Sequence, residues 1–246
     1  MSTERVKVRN VSKRFKIGFQ RSLGALARFL YLFSGRESKK FITALKNVSL
    51  SVSSGDILGI IGENGSGKST LLRIIAGIYS QSLGEIQVNG KIVSLINLNV
   101  GLKERLSMRD NIYLSCSLFG LSNKEIKERF QKIVEFSELG EFVNTKLYQF
   151  SDGMKQRLAF SIGINCNPEI LLLDEVFAVG DEEFRIKSAR KIQELVKSGA
   201  SVILVTHELW MIEKYCDSAV WLDGGEIIKK GDAKKVITAY LKHKHN

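Results

Sequence analysis

Five apolar residues, Ile57-Leu58-Gly59-Ile60-Ile61, run straight into Gly62-Glu63-Asn64-Gly65-Ser66-Gly67-Lys68-Ser69-Thr70 and then into the helical pattern Leu71-Leu72-Arg73-Ile74-Ile75. A strand that is apolar throughout must be covered on both faces, so this one belongs at the centre of a sheet. The first eight of the nine residues after it match G-x-x-x-x-G-K-[ST] in the strand-to-helix context that the motif requires. Glycines let the backbone wrap an anion closely with its N–H groups, and the start of the helix adds positive potential. Lys68 then reaches the β- and γ-phosphates of a nucleotide, and the Ser69 hydroxyl ligates Mg²⁺.

Two further apolar runs, residues 170–173 and 201–205, each stand beside helical pattern. That rhythm belongs to an α/β domain with a largely parallel core sheet. Val6, Val8 and Val11 alternate with Arg5, Lys7 and Arg9, and Val48-Ser49-Leu50-Ser51-Val52 repeats the pattern, so both read as half-buried strands. Residues 108–166 carry helical signals instead, chiefly over 123–138, where Ile126, Phe130, Ile133 and Val134 share a stripe. Asn123, following Ser122, offers a start cap there. Pro168, the single proline, marks the return to the sheet. The expectation is one compact domain of 246 residues with a helical lobe inserted into an α/β core.

The formal net charge of +11 is unevenly placed. Residues 1–40 carry 11 basic and 2 acidic groups (+9), residues 228–246 carry 6 and 1 (+5), and the stretch between sums to −3. The basic character therefore belongs to the two ends, where it suggests an anionic partner. Met1-Ser2-Thr3-Glu4-Arg5 is not followed by an apolar core, and no run of about 18 apolar residues occurs, so neither a secretory leader nor a membrane span is expected. Cys116, Cys166 and Cys216 lie far apart with no CxxC spacing and read as buried thiols of a reducing compartment, not as a metal site or a staple.

Ile170-Leu171-Leu172-Leu173-Asp174-Glu175 is an apolar strand ending in two carboxylates, as the metal-side strand of a P-loop NTPase should. Asp174 there holds Mg²⁺ through water, and Glu175 polarises the attacking water. The pair lies 23 residues after Ser151, inside Phe150-Ser151-Asp152-Gly153-Met154-Lys155-Gln156-Arg157. A third strand end reads Val205-Thr206-His207, while His243 and His245 lie in a Lys-rich tail and read as solvent-facing.

Together, residues 62–70, 151–154 and 172–175 and His207, in this order, resemble the nucleotide-binding domain of an ATP-binding-cassette (ABC) transporter over essentially the whole chain. The resemblance implies a P-loop NTPase (RecA-like) core at about 1–96 and 167–246, with a mixed, mainly parallel sheet, and an inserted helical subdomain at about 97–166. It implies ATP and Mg²⁺ as cofactors and a head-to-tail homodimer enclosing two ATP molecules. It implies that Gly62, Glu63, Asn64, Gly65, Ser66, Gly67, Lys68, Ser69 and Thr70 bind the nucleotide. It implies Ser69 and Asp174 as the metal side, Glu175 as the catalytic base, and His207 as the switch histidine on the γ-phosphate. It further implies that Ser151, Asp152, Gly153 and Met154 close over the ATP of the other copy. Phe15 matches the aromatic residue that stacks on adenine, although it lies 53 residues before Lys68; Phe41 is its competitor on distance. Where most such domains place a Gln that senses the metal and the membrane partner, this sequence has Asn97, shorter by one methylene.

Asp152 and Met154 in the signature, Val176-Phe177-Ala178-Val179-Gly180-Asp181 after Glu175, and Arg109-Asp110-Asn111-Ile112 are similar to the polysaccharide-export branch, which moves O-antigen, capsule or teichoic-acid chains. This implies an ATPase on the cytoplasmic face of the inner membrane, two permease subunits as partners, a lipid-linked polysaccharide as cargo, and no nucleic acid. Other cargoes, such as a drug or lipid or an imported solute, are the alternative. A soluble ABC ATPase acting on DNA or ribosomes is a third class, though such proteins usually fuse two cassettes or insert a coiled coil. Some export-branch members continue into a carbohydrate-binding domain; this sequence stops after Ala239-Tyr240-Leu241-Lys242, and none is expected.

A basic insert, residues 18–40, separates the two leading strands. Leu23, Leu26, Ala27, Leu30 and Phe33 form a helical stripe in it, with Arg21 and Arg28 adding charge. Such a helix suits a membrane surface or a membrane subunit. It equally suits packing on its own sheet with its charges solvated.

Overall fold

The computed structural model describes residues 4–17, 40–96, 101–175 and 180–244. Residues 18–39 of the basic insert, Asn97, residues 176–179 and His245 lie outside the described residues. In chain order the elements are β1 (Glu4–Ile17), β2 (Lys40–Ser53), β3 (Ile57–Ile61), α1 (Lys68–Ile75), β4 (Leu83–Val88), β5 (Ile92–Leu95), α2 (Met108–Leu118), α3 (Asn123–Ser137) and α4 (Asp152–Asn165). They continue with β6 (Ile170–Asp174), α5 (Glu182–Lys197), β7 (Ser201–Val205), α6 (Leu209–Tyr215), β8 (Ser218–Asp223), β9 (Glu226–Asp232) and α7 (Ala233–Lys244).

The main sheet has the order β5-β6-β7-β3-β8-β9 and is parallel except for β9, which pairs antiparallel with β8. The mixed, mainly parallel sheet expected from the sequence is the one that forms. Leu58 and Ile60 of β3 face the antiparallel sheet β2-β1-β4 and the apolar side of α1, while Ile57 and Ile61 join the core formed with α4, α5, α6 and α7. Successive strand residues point to opposite faces, so burial on both sides explains why the run has no polar alternation.

The two leading strands are longer than the alternating segments alone suggest. Pairing of β1 with β2 continues to Ile17 and Lys40, beyond the regular pattern. Asn10 has φ 50°, and the register shifts between Val8 and Val11, so an extra residue resets the alternation and returns Val11 to the buried side.

Among the helices, α3 is capped by Ser122, not by Asn123, which is its first helical residue. The Ser122 hydroxyl accepts from the Glu125 N–H at 3.4 Å while the Glu125 carboxylate accepts from the Ser122 N–H at 2.8 Å, a reciprocal capping box. Ile126, Ile133 and Val134 are buried as the stripe implies. The buried residues of α2, α3 and α4 run into those of β5, β6 and β7 as one apolar cluster, so these helices are anchored by the same core that supports the sheet.

Candidate active site

The carboxyl ends of β3, β6 and β7 lie side by side, because Ile60 pairs with Val205 and Val205 with Asp174. Ligands of parallel α/β sheets bind beyond such ends. The loop leaving β3 is held tightly at its base. A Cβ on Gly62 would lie 2.1 Å from the Leu222 carbonyl oxygen, and one on Gly67, whose φ is 108°, would lie 2.7 Å from that of Ala44. Glycine is required at both positions by this close approach of backbone. The tip residues Glu63, Asn64 and Gly65 are exposed.

Lys68 is buried at the first turn of α1, and its Nζ donates to the carbonyl oxygens of Gly62 at 2.7 Å and Glu63 at 2.8 Å. Burial pushes the ammonium pKa down, against the Glu175 and Asp174 carboxylates, which raise it. Asp174 is shifted the other way. Burial raises its pKa, the hydrogen bond from Ser69 lowers it, Glu175 raises it, and Arg73 and Lys68 lower it. The Ser66 hydroxyl is buried without a hydrogen-bond partner. An anion bound in this loop suits both the orphaned hydroxyl and the buried cation, and the oxygen pair Ser69 and Asp174 suits a hard cation such as Mg²⁺.

Glu175 has left-handed backbone, φ 58°, and its N–H donates to the Val205 carbonyl at 2.8 Å. A non-glycine residue held there costs of order 1–3 kcal/mol, and such strain clusters at functional sites. The turn sets the Glu175 carboxylate 2.8 Å from His207 Nε2, with both side chains open to solvent. His207 follows the buried Thr206, whose hydroxyl accepts from the Glu208 N–H at 3.1 Å and shapes the turn after β7. The structure thus brings Lys68, Ser69, Asp174, Glu175 and His207 to one edge of the sheet.

Phe15 and Phe41 are on different faces of the β1–β2 ribbon, since Phe15 pairs with Ile42 and Phe41 with Lys16. Phe15 is half-buried and meets Tyr79 edge-on at 5.5 Å between ring centroids, with Lys13 Nζ 4.9 Å from the Phe15 centroid. Phe41 is 56% exposed. Sequence reasoning missed Tyr79 and Lys13; an aromatic residue just past the end of α1 is the signal that points to the first.

Ser151 is the N-cap of α4, and its hydroxyl accepts from the Met154 N–H at 3.2 Å. Ser151, Asp152 and Gly153 are exposed at this helix start. The side chains that follow fasten α4 down. Lys155 pairs with Glu104 at 2.7 Å; Arg157 pairs with Glu138 and, at 3.4 Å, with Asp181, and lies 4.6 Å from the Phe184 ring centroid. Asp181 in turn caps α5, accepting from the Phe184 N–H at 2.9 Å. No local spacing announces this network, because its members come from three separate elements. His243, read as solvent-facing, is exposed but also rests 5.1 Å from the Trp221 ring.

Comparison with known proteins agrees with this geometry. Residues 45–178 match the family model described as ABC transporter. The chain is 42% identical over 212 residues to the O-antigen export system ATP-binding protein RfbB of Myxococcus xanthus, covering 85% of this chain and 48% of that one. It is 39% identical over 244 residues to the teichoic acids export ATP-binding protein TagH of Lactococcus lactis subsp. lactis, covering 98% and 52%. It thus spans about half the length of these curated relatives. Against the O-antigen export system ATP-binding protein RfbB of Klebsiella pneumoniae it is 37% identical, covering 87% of this chain and 85% of that one. A dimeric ATP-binding cassette in a post-hydrolysis state with ADP and Pi superposes with a TM-score of 0.75 at 26% identity, covering 93% of this chain and 98% of that one. An ATP-binding subunit of an ABC transporter at 24% identity shares the fold with a TM-score of 0.77, covering 96% and 92%. The chain therefore belongs to the ABC transporter family, and its fold is that of the ATP-binding cassette.

Proposed function

We propose that this chain binds and hydrolyses ATP as the energy-supplying subunit of a transporter that exports a lipid-linked polysaccharide. The observation that carries the hydrolytic part is the Glu175–His207 contact of 2.8 Å at the strand ends that also present Lys68, Ser69 and Asp174. Lys68 and the N–H groups of residues 62–70 hold the phosphates, and Phe15, braced by Tyr79, stacks on the adenine. Ser69 and Asp174 hold Mg²⁺, which when bound neutralises phosphate charge. Asn97 is the third candidate on the metal side. Glu175 orients the attacking water and accepts its proton; His207 keeps the Glu175 carboxylate in place and reaches the γ-phosphate.

Ser151, Asp152, Gly153 and Met154 act on the ATP of a second copy, so the working form is a homodimer at the cytoplasmic face of the membrane, joined to two permease subunits. The cargo reading is supported by relatives that are named for O-antigen and teichoic acid export. In this reading residues 18–40 contact the membrane subunit or the lipid-linked headgroup.

A Glu175→Gln chain should still bind ATP, accumulate as a closed dimer in gel filtration, and turn over about 10²- to 10⁴-fold more slowly. Normal turnover would remove Glu175 from the role of base. In the native host, Lys68→Ala should trap the glycan inside the cell; surface glycan at the wild-type level would assign the transporter another cargo.

A further inference from the structure

Cys116 and Cys166 are 50 residues apart in sequence, yet their sulfurs lie 3.6 Å apart, with the Cys166 thiol donating to Cys116 Sγ. Cys116 sits in the last turn of α2, and Cys166 is the C-cap of α4, the helix that Ser151 begins. Both are free and fully buried. We propose that they form an oxidation site, a dithiol that hydrogen peroxide or an alkyl peroxide converts to a disulfide tying the end of α4 to α2.

A disulfide needs sulfurs about 2.05 Å apart, so the pair must close by about 1.5 Å, a distance within reach of side-chain rotation and a small shift of helix ends. Access comes from the same place. Ser117 and Leu118 beside Cys116 and Asn167 beside Cys166 are exposed, so each thiol is one residue from solvent at a helix terminus, where backbone fraying is easiest. Arg129 donates to the Asn165 carbonyl at 3.1 Å and to Asn167 Oδ1 at 2.7 Å, which places its cation over this end of α4.

The two sulfurs are not equivalent. The hydrogen bond from Cys166 lowers the pKa of Cys116, with Arg129 and Lys91 adding to the effect against burial, whereas donating that bond and being buried raise the pKa of Cys166. Cys116, whose sulfur accepts the hydrogen bond from the Cys166 thiol, is the nucleophile in this proposal. Its thiolate attacks one peroxide oxygen, the O–O bond breaks, and sulfenic acid forms as hydroxide or alkoxide leaves. The Cys166 sulfur then attacks the sulfenic sulfur, its proton and the departing hydroxyl leave as water, and the S–S bond forms; both thiol sulfurs are oxidised and one peroxide is reduced. Cys216, the third cysteine, has its pKa pushed up to about 12, by burial first and then by Asp217, which makes it an internal control.

The test is thiol counting and mass mapping of the intact purified chain before and after hydrogen peroxide. The expected result is one titratable thiol left of three, a loss of two hydrogens in mass, a non-reducing digest that joins the Cys116 and Cys166 peptides, and full reversal by dithiothreitol. Cys216→Ser should cross-link like the parent, and Cys166→Ser should stop at a sulfenic acid on Cys116 that dimedone traps. Three surviving thiols at a peroxide dose that oxidises free glutathione, or a bond between two chains in place of one within the chain, would overturn the proposal. Because the mapping is done on the unaltered chain, a variant that fails to fold leaves it decisive, and none of these readouts depends on ATP turnover.

Discussion

The helices α1 and α4 both begin where a phosphate group is proposed to bind, but their N-termini are built in opposite ways. α1 starts at Gly67 with no capping side chain, and its first residue, Lys68, is a buried cation under a loop clamped between β2 and β8. α4 starts at Ser151, whose hydroxyl already satisfies the Met154 N–H, and its opening residues are exposed. The first terminus keeps its N–H groups for a ligand. The second is finished as a helix end and presents an outward face. In the proposed function, one chain encloses a phosphate from one side with the first terminus, and a head-to-tail second copy closes the other side with the second.

The widest separation of the two termini should come from binding set against turnover. Lys68→Ala should abolish both. Gly153→Asp, which adds a carboxylate at the open terminus, should cut turnover by about 10²- to 10³-fold while leaving the Kd of the single chain for ATP unchanged in a fluorescent-nucleotide titration. Equal loss of affinity in both variants would erase the distinction.

A smaller effect should separate the two aromatic residues on the same principle of enclosure. Phe15→Ala removes a ring braced by Tyr79 and should weaken ATP binding about tenfold, the scale of one stacked base. Phe41→Ala, on the exposed face, should leave it unchanged. The reverse outcome would move the adenine to the other face of the ribbon.

The smallest effect concerns what enclosure costs. Burial raises the Asp174 pKa above its unfolded value, so the native state holds that proton more tightly. Stability is therefore lost as pH rises through the window between the two values, and the cost is fully present once the folded carboxyl has ionised. Asp174→Asn should melt higher than the parent at neutral pH, with the difference vanishing below the ordinary aspartate range. A pH-independent difference would mean that packing, not charge burial, sets it.

Much of the site could be read from the sequence because its chemistry is written in contiguous stretches. Residues 62–70, Asp174-Glu175 and 151–154 each sit at one strand end or one helix start, where local spacing alone fixes which atoms face outward. The placement of Phe15 and Phe41 on opposite faces of the ribbon could not be read that way. It depends on the pairing of Phe15 with Ile42, a register set between two strands. The same limit applied to the cysteines. Far apart in sequence, they read as unrelated, and only the packing of α2 against the end of α4 sets two of them 3.6 Å apart. The network of Arg157 with Glu138, Asp181 and Phe184 was equally hidden, since it joins α4 to the end of α3 and the start of α5.

The sequence by itself determined the glycine-rich loop after β3, the carboxylate strand end, the capped helix start and the parallel character of the core sheet, because each is a local pattern with one low-energy solution. Tertiary structure alone decided which strand ends stand together, and so placed Glu175 against His207, Phe15 against Tyr79 and Cys116 against Cys166. Those contacts arise from strand order and helix packing, in which residues distant in the chain are brought together by burial of apolar surface, a force that carries no address in the residues it joins.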